Sequence, residues 1–358
     1  MALDLNPEHN DTSLILDLLR SLAAFAVLIG HATSFFGVAL FLQPPAFPYI
    51  QNLAVIGFFV LSGFLIAFVL DRSQDKGVAS FLIDRFARIY SSFFPAMLLI
   101  GIIGWGLQKA GRLEDPFTFA NWLQHVLMLN AFGTTWCEIA CVPSMQTASH
   151  LWSLAVEFHI YLFAGFLFFG LRQQSAVLIL GAILVSWVPY IYLGIAFEIR
   201  PGNQISYMWL LGFVAYYLVS RVRIPPATAI AMVAIGLYLL RKSIEPEAEY
   251  NLPAYIWVAV AFAGICAFTQ STAFTADRRQ LRSFIRYVAD FSFSLYLVHH
   301  PIQEALFRLW PDSAWYGATA AILIPIPVAI AIAHIGERRH KQLATRLKSA
   351  LSFRTGTV

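Results

Sequence analysis

The chain has 358 residues, 59% of them hydrophobic and only 12% charged, against about 25% charged residues in an ordinary soluble domain. A water-soluble globule is excluded, because apolar stretches of about 20 residues, each able to cross a ~30 Å hydrocarbon layer, recur along the whole chain. The net charge of +4 fits a membrane protein that holds lysine and arginine on its cytoplasmic side and gives no ground for nucleic-acid binding.

Taken in order, the apolar runs predict ten spans: 14–36, 53–70, 90–107, 151–171, 176–195, 205–219, 224–240, 252–268, 287–309 and 315–335. Backbone groups in lipid must be paired within the segment, so each is expected to be a helix. The first lies behind Asp4, Glu8 and Asp11, carries Arg20 and His31 and lacks a small-residue cleavage site, so it reads as a retained helix and not as a signal peptide. The stretch 117–132 contains Asn121, Gln124, His125 and Asn130 and reads as an interfacial or re-entrant helix. With ten spans and an inside N-terminus, seventeen basic residues fall inside and six outside, with Arg20 at the inner boundary. An eleventh crossing at 117–132 would move thirteen of them to the wrong side. The expected architecture is all-α and polytopic: one bundle of about ten transmembrane helices over 1–340, a basic tail over 341–358, and both termini cytoplasmic. Three cysteines make neither a disulfide framework nor a zinc site. Cys137 and Cys141 share a polar loop and would pair only in an oxidising compartment.

An ionisable side chain deep in a spanning helix costs about 2.5–3.5 kcal/mol on insertion scales and so implies a partner or a function. The first helix has three, in LDLLRSLAAFAVLIGH: Asp17, Arg20 and His31. Eleven residues separate Arg20 from His31, which places them within roughly 20° of one helix face and about 16 Å apart along the axis. A cationic entrance with an imidazole three turns deeper suits an anionic donor whose reactive end enters the bundle. A snorkelling arginine and a histidine satisfied by a neighbouring helix suit the residues equally well. In the second helix, IGFFVLSGFLIAF places Ser62 beside Gly63, where small residues most often allow close helix packing.

Arg85 and Arg88 follow in FLIDRFARIYSSFFP, three residues apart on one helix face. They read either as inside topology charges touching lipid headgroups or, with Arg20, as a cradle for phosphate, which guanidinium binds bidentately. HLWSLAVEFHIYLF brings Glu157 and His159 into an apolar helix entering from outside. There Glu157 would fix the tautomer of an imidazole such as His31, or hold two helices together. Finally, DFSFSLYLVHHP carries Tyr296, His299, His300 and Pro301. Adjacent histidines point about 100° apart and do not share a metal as an i, i+4 pair does. Pro301 predicts a kink of the kind that lines cavities.

These segments, in this order, resemble the motifs of the acyltransferase family 3 membrane proteins, which O-acylate bacterial surface glycans and related acceptors. LDLLRSLAAFAVLIGH is similar to the family's R/K-x10-H element, FFVLSGFLI to FFxxSG, RFARIY to RxxRI, LWSLAVEFHIY to WSLxxE(x)xFY and FSFSLYLVHHP to SYxLYLxHxP. Two departures stand out: Ser91 occupies a position where members often have proline, and His300 adds a second histidine before Pro301. The resemblance implies that His31 is the essential histidine, Arg20 its basic partner, and Arg85 and Arg88 the arginines that handle acyl-CoA. Ser62, Glu157, Tyr296 and His299 match positions of less defined role. The expected function is transfer of an acyl group, acetyl above all, from acyl-CoA (acetyl-CoA) to a carbohydrate or glycan-like hydroxyl. His31 is the expected base, assisted by Glu157, with Asp17, Ser62, Tyr296 and His299 binding substrate or serving structure. No resident cofactor or metal is expected, and the expected location is the bacterial cytoplasmic (inner) membrane. The rival is a transporter or flippase of a glycan or lipid-linked intermediate, since midplane ionisable residues also mark substrate pathways.

Overall fold

A computed structural model describes residues 10–73, 77–132, 145–194, 203–246, 252–272 and 278–355, together with Leu3 and Leu5. Among the described residues there is no strand. The helices are α1 (Thr12–Phe35), α2 (Ile50–Arg72), α3 (Val78–Lys109), α4 (Phe119–Val126), α5 (Trp152–Gln173), α6 (Ala176–Gly194), α7 (Asn203–Arg221), α8 (Pro226–Ser243), α9 (Leu252–Thr269), α10 (Arg279–Leu309), α11 (Ala314–Leu323), α12 (Pro325–Ile335) and α13 (His340–Thr355). Each of the ten expected spans is helical. Among the described residues, five segments are both long and apolar enough to cross a membrane: Thr12–Phe35, Ile50–Arg72, Val78–Lys109, Gln146–Gln173 and Pro311–Leu351. The protein is therefore an integral membrane protein. The Cys137–Cys141 loop lies outside the described residues, and Cys266 is a buried free thiol.

One difference from the expected elements has a local cause. The tenth span is two helices, because Pro325 has no N–H to give the Ala321 carbonyl; the side-chain amide of Gln303 supplies that hydrogen bond at 3.0 Å. In the stretch 117–132, as expected of a helix that does not span, α4 takes eight residues, about 12 Å and too short to cross, and a 3₁₀ turn follows at Leu129–Phe132. Thr118 caps α4 by accepting from the Asn121 N–H. It lies on α3, with Trp122 Nε1 donating to the Met97 carbonyl at 2.7 Å and the Tyr90 hydroxyl donating to the Val126 carbonyl at 3.0 Å.

The chain divides into two compact units. The first comprises Met1–Gly30, Ala39–Arg72 and Ile191–Ala289. Its helices approach through glycine. A Cβ on Gly63 would meet the Trp209 carbonyl oxygen at 1.9 Å, and one on Gly212 would meet that of Val60 at 1.9 Å. The crossing of α2 and α7 is therefore built on a reciprocal pair of missing side chains. Gly236 and Gly264 do the same between α8 and α9. Asn10 caps α1, its side chain accepting from the Thr12 N–H at 2.9 Å, and the Thr12 hydroxyl meets that of Thr269 at 3.0 Å.

The second unit comprises His31–Val38, Ser73–Tyr190 and Asp290–Val358. The last turn of α1 is fixed here by Ala32 and Phe36 packing with Ala318 and Ala321 of α11. The segment after Arg339, expected as a basic tail, forms α13, which packs along α3 and pairs Lys348 with Asp84 at 2.7 Å.

Candidate functional site

Pro301 begins the local logic of the site. Lacking an N–H, it leaves the Leu297 carbonyl of α10 without its helical donor, and His150 Nε2 supplies one at 3.3 Å. His150, which sequence reasoning passed over, is thereby drawn from the short 3₁₀ segment preceding α5 into the second unit's interior. Its ring stacks on His300 with centroids 4.9 Å apart and meets His299 edge-on at 5.0 Å. His31, half-buried on the end of α1, meets His299 at 5.4 Å and His300 at 5.3 Å. Four imidazoles thus converge from three elements. The structure brings His31 and His299 together and places His300 and His150 beside them.

The hydrogen bonds assign the protons. A carbonyl only accepts, so His150 Nε2 carries hydrogen and its Nδ1 has a free lone pair. His299 Nδ1 likewise donates to the carbonyl of Tyr296 at 2.7 Å and approaches that of Leu295 at 3.2 Å, leaving Nε2 with the lone pair. His300 Nε2 shares a hydrogen bond with the Ser149 hydroxyl at 3.1 Å. His150 Nδ1, His299 Nε2 and His300 Nδ1 are buried and have no hydrogen-bond partner among the described residues. Among those residues no group of three or more His, Cys or carboxylate side chains could hold a metal ion.

Tyr296 locks this arrangement to α5. Its hydroxyl donates to the His150 carbonyl at 2.9 Å and, with that proton committed, accepts from Ser153 Oγ at 2.5 Å. Ser153, Glu157 and Tyr161 follow at four-residue intervals and so share one face of α5; the Tyr161 hydroxyl donates to Glu157. Tyr161 and Arg85 line one cavity of about 300 Å³, otherwise apolar, with Phe86, Phe158, Leu347 and Leu351. A polar stripe thus runs about 12 Å along α5 from the histidines to an arginine.

The two arginines of RFARIY differ. Arg88 pairs at 3.0 Å with Glu337, a carboxylate only 2% exposed that also accepts from the Ser294 hydroxyl at 3.0 Å and from its N–H at 3.2 Å. Arg85 has no ion pair among the described residues, and its guanidinium lies 6.0 Å from the centroid of the Phe81 ring. Glu337 was missed from sequence because GERRHK after an apolar span reads as surface charge. In the first unit, Arg20 pairs with Asp17 at 3.0 Å and donates to the Ala289 carbonyl at 3.2 Å. Ser62 is buried beside Gly63 at the α2–α7 crossing, and His159 bonds its own helix at Ala155.

Comparison with known proteins follows the same line. A family model described as an acyltransferase domain, that of acyltransferase family 3, matches residues 14–334. The chain is 24% identical over 367 residues to an O-acetyl transferase of Shigella phage Sf6, covering 94% of this chain and 98% of that protein. It is 24% identical over 330 residues to the peptidoglycan O-acetyltransferase OatA of Listeria monocytogenes, covering 80% of this chain and 49% of that longer protein. A third relative, protein 2 in the picA locus of Rhizobium radiobacter, is 37% identical over 90 residues, covering 24% of this chain and 43% of that protein. No solved structure matches. With apolar segments long enough to cross a membrane and a family match over nearly its whole length, the chain belongs to the acyltransferase 3 family and is a membrane acyltransferase.

Proposed function

We propose that the protein is an O-acetyltransferase of the bacterial cytoplasmic membrane. It crosses the bilayer about ten times with both termini cytoplasmic, and moves acetyl from acetyl-CoA to a hydroxyl of a carbohydrate or glycan-like acceptor. The names of the phage and Listeria relatives support the group transferred, and the Listeria name supports the acceptor class. One observation carries the chemistry: His31 is the partly exposed member of a buried imidazole cluster at one end of a polar stripe whose other end holds Arg85, without an ion pair among the described residues. In this reading acetyl-CoA is a donor substrate and not a resident cofactor. Its phosphates meet Arg85, with Arg88 beside it, and its thioester reaches toward His31 along the Tyr161–Glu157–Ser153 face.

The step balances simply. His31 takes the acceptor hydroxyl proton as the oxygen attacks the thioester carbonyl. The carbon–sulfur bond breaks, and the imidazolium returns the proton to the departing CoA thiolate. Glu157, held by Tyr161, stabilises the positive charge that develops on imidazole. The test uses the full chain in nanodiscs, labelled acetyl-CoA and an oligosaccharide acceptor. His31→Ala is expected to lose about 10²–10⁴-fold in rate, the span typical of a lost general base. Transfer at the wild-type rate would remove His31 from the mechanism. Oligosaccharide movement across vesicles with no acetyl ester formed would assign transport instead.

A further inference from the structure

Beyond the base itself, the cluster contains an arrangement that deprotonating one hydroxyl does not need. Freed carbonyls elsewhere in this unit find donors, as those of Ala321 and Leu297 do. By contrast, His150 Nδ1 and His299 Nε2 are fixed as acceptors by what their other ring nitrogens bond, and no described residue donates to either. Leaving a buried acceptor unfilled costs about 1–3 kcal/mol, and a pair of them on rings 5.0 Å apart calls for a functional explanation. The side chains themselves are 6% and 1% exposed. No carboxylate hydrogen-bonds to any of the four rings among the described residues, so the neighbourhood suits a neutral donor better than an ammonium. On a carbohydrate-like acceptor the most abundant neutral donor is a hydroxyl.

We propose that His150 Nδ1 and His299 Nε2 form a hydroxyl-accepting subsite beside His31, one that selects acceptors with two neighbouring hydroxyl groups. One hydroxyl donates to these nitrogens while its neighbour gives its proton to His31 and is acylated. A single hydroxyl cannot do both, because its one proton is the proton His31 removes. The subsite therefore discriminates by the second group, and its binding contribution appears only with a diol. This inference rests on the acyl-transfer reading above and narrows its acceptor to vicinal diols, the pattern of pyranose rings.

The probes are cis-1,2-cyclohexanediol and cyclohexanol, offered as acceptors to the full chain in nanodiscs with labelled acetyl-CoA. Wild type is expected to favour the diol, per hydroxyl, by tenfold or more in kcat/KM. His150→Phe and His299→Phe keep a ring but delete the lone pair, and should bring that preference to within twofold of unity while shifting the KM for acetyl-CoA by less than twofold. His150→Phe also removes the donor to the Leu297 carbonyl. Adding Pro301→Ala restores a helical N–H there and keeps the measurement possible if the single variant folds poorly. A preference that survives in the variants, or a wild type with none, would overturn the subsite and leave water as the filler of the two lone pairs. If wild type esterifies neither alcohol, transfer to the oligosaccharide acceptor decides the acyl-transfer reading separately, and saturation-transfer NMR decides the subsite. Diol binding to wild type that is weakened at least tenfold in His150→Phe supports it, and equal binding overturns it.

Discussion

The α2–α7 crossing of the first unit and the histidine cluster of the second are both places where an apolar helix carries residues that are not simply greasy, and they are held in opposite ways. At the crossing, Gly63 and Gly212 let backbone meet backbone, and what matters is the absence of side chains. In the cluster, Pro301 removes a backbone donor and His150, Tyr296 and Ser153 rebuild the connection. The first arrangement tolerates no added atom. The second tolerates exchange as long as each carbonyl keeps a donor, and so has room to evolve chemistry. Ser62, next to Gly63, sits in the first kind of environment, and His299 in the second.

Substitutions that attack shape should therefore exceed those that attack polar links. Gly63→Ala drives a methyl into the Trp209 carbonyl, where the added carbon would lie 1.9 Å from oxygen. Separating the helices is expected to cost about 3 kcal/mol or more, the upper range for overpacking. Fluorescence-detected size exclusion after heating would show it, and a melting temperature equal to wild type would break the distinction. Arg88→Ala ranks next. It strands Glu337, and breaking a fully buried pair costs about 3–5 kcal/mol. Because the Arg88 side chain is 26% exposed and Ser294 still donates to Glu337, about 2 kcal/mol is expected. Arg85→Ala breaks no ion pair and should leave the melting temperature unchanged. Its expected signature is a KM for acetyl-CoA raised about tenfold, the loss of roughly one phosphate contact. Equal thermal effects at the two arginines would contradict the division between a structural and a donor-binding arginine.

The same contrast explains what the sequence could reveal. Helix positions follow from hydropathy, a local property, so the expected spans are helical, the tenth as two helices. The misjudged ends follow from polar residues: the third span was expected to begin at 90, after Arg85 and Arg88, yet α3 begins at Val78. Pro325 looked like part of one span, yet it divides α11 from α12. The ionisable residues His31 and His299 were visible because their burial is costly wherever they sit. His150 and Glu337 were not, since each stood at the edge of an apolar run where solvent is the default partner. His150 is recruited by a carbonyl 147 residues away and Glu337 by an arginine 249 residues away, and no periodicity encodes such pairings. Only the proline gave a clue, by announcing that the Leu297 carbonyl would need a donor without saying from where.

The smallest expected effect tests the polar links most finely. Tyr296→Phe deletes a hydroxyl that donates to the His150 carbonyl and accepts from Ser153. Ser153 Oγ also lies 3.3 Å from that carbonyl, so it can take over the donation, and the net loss should be about 1 kcal/mol, an ordinary hydrogen bond. Ser153→Ala should cost a similar amount, because Tyr296 then keeps its own bond to His150. The double variant removes both donors and leaves a buried carbonyl unfilled, so it should exceed the sum of the singles by about 0.5–1 kcal/mol. With His150 no longer tethered at its backbone, the ring stack on His300 loosens, and acetyl transfer should fall further in the double variant than in either single. Strict additivity in both melting temperature and rate would mean that the two hydroxyls act separately, and that His150 is held by its ring alone.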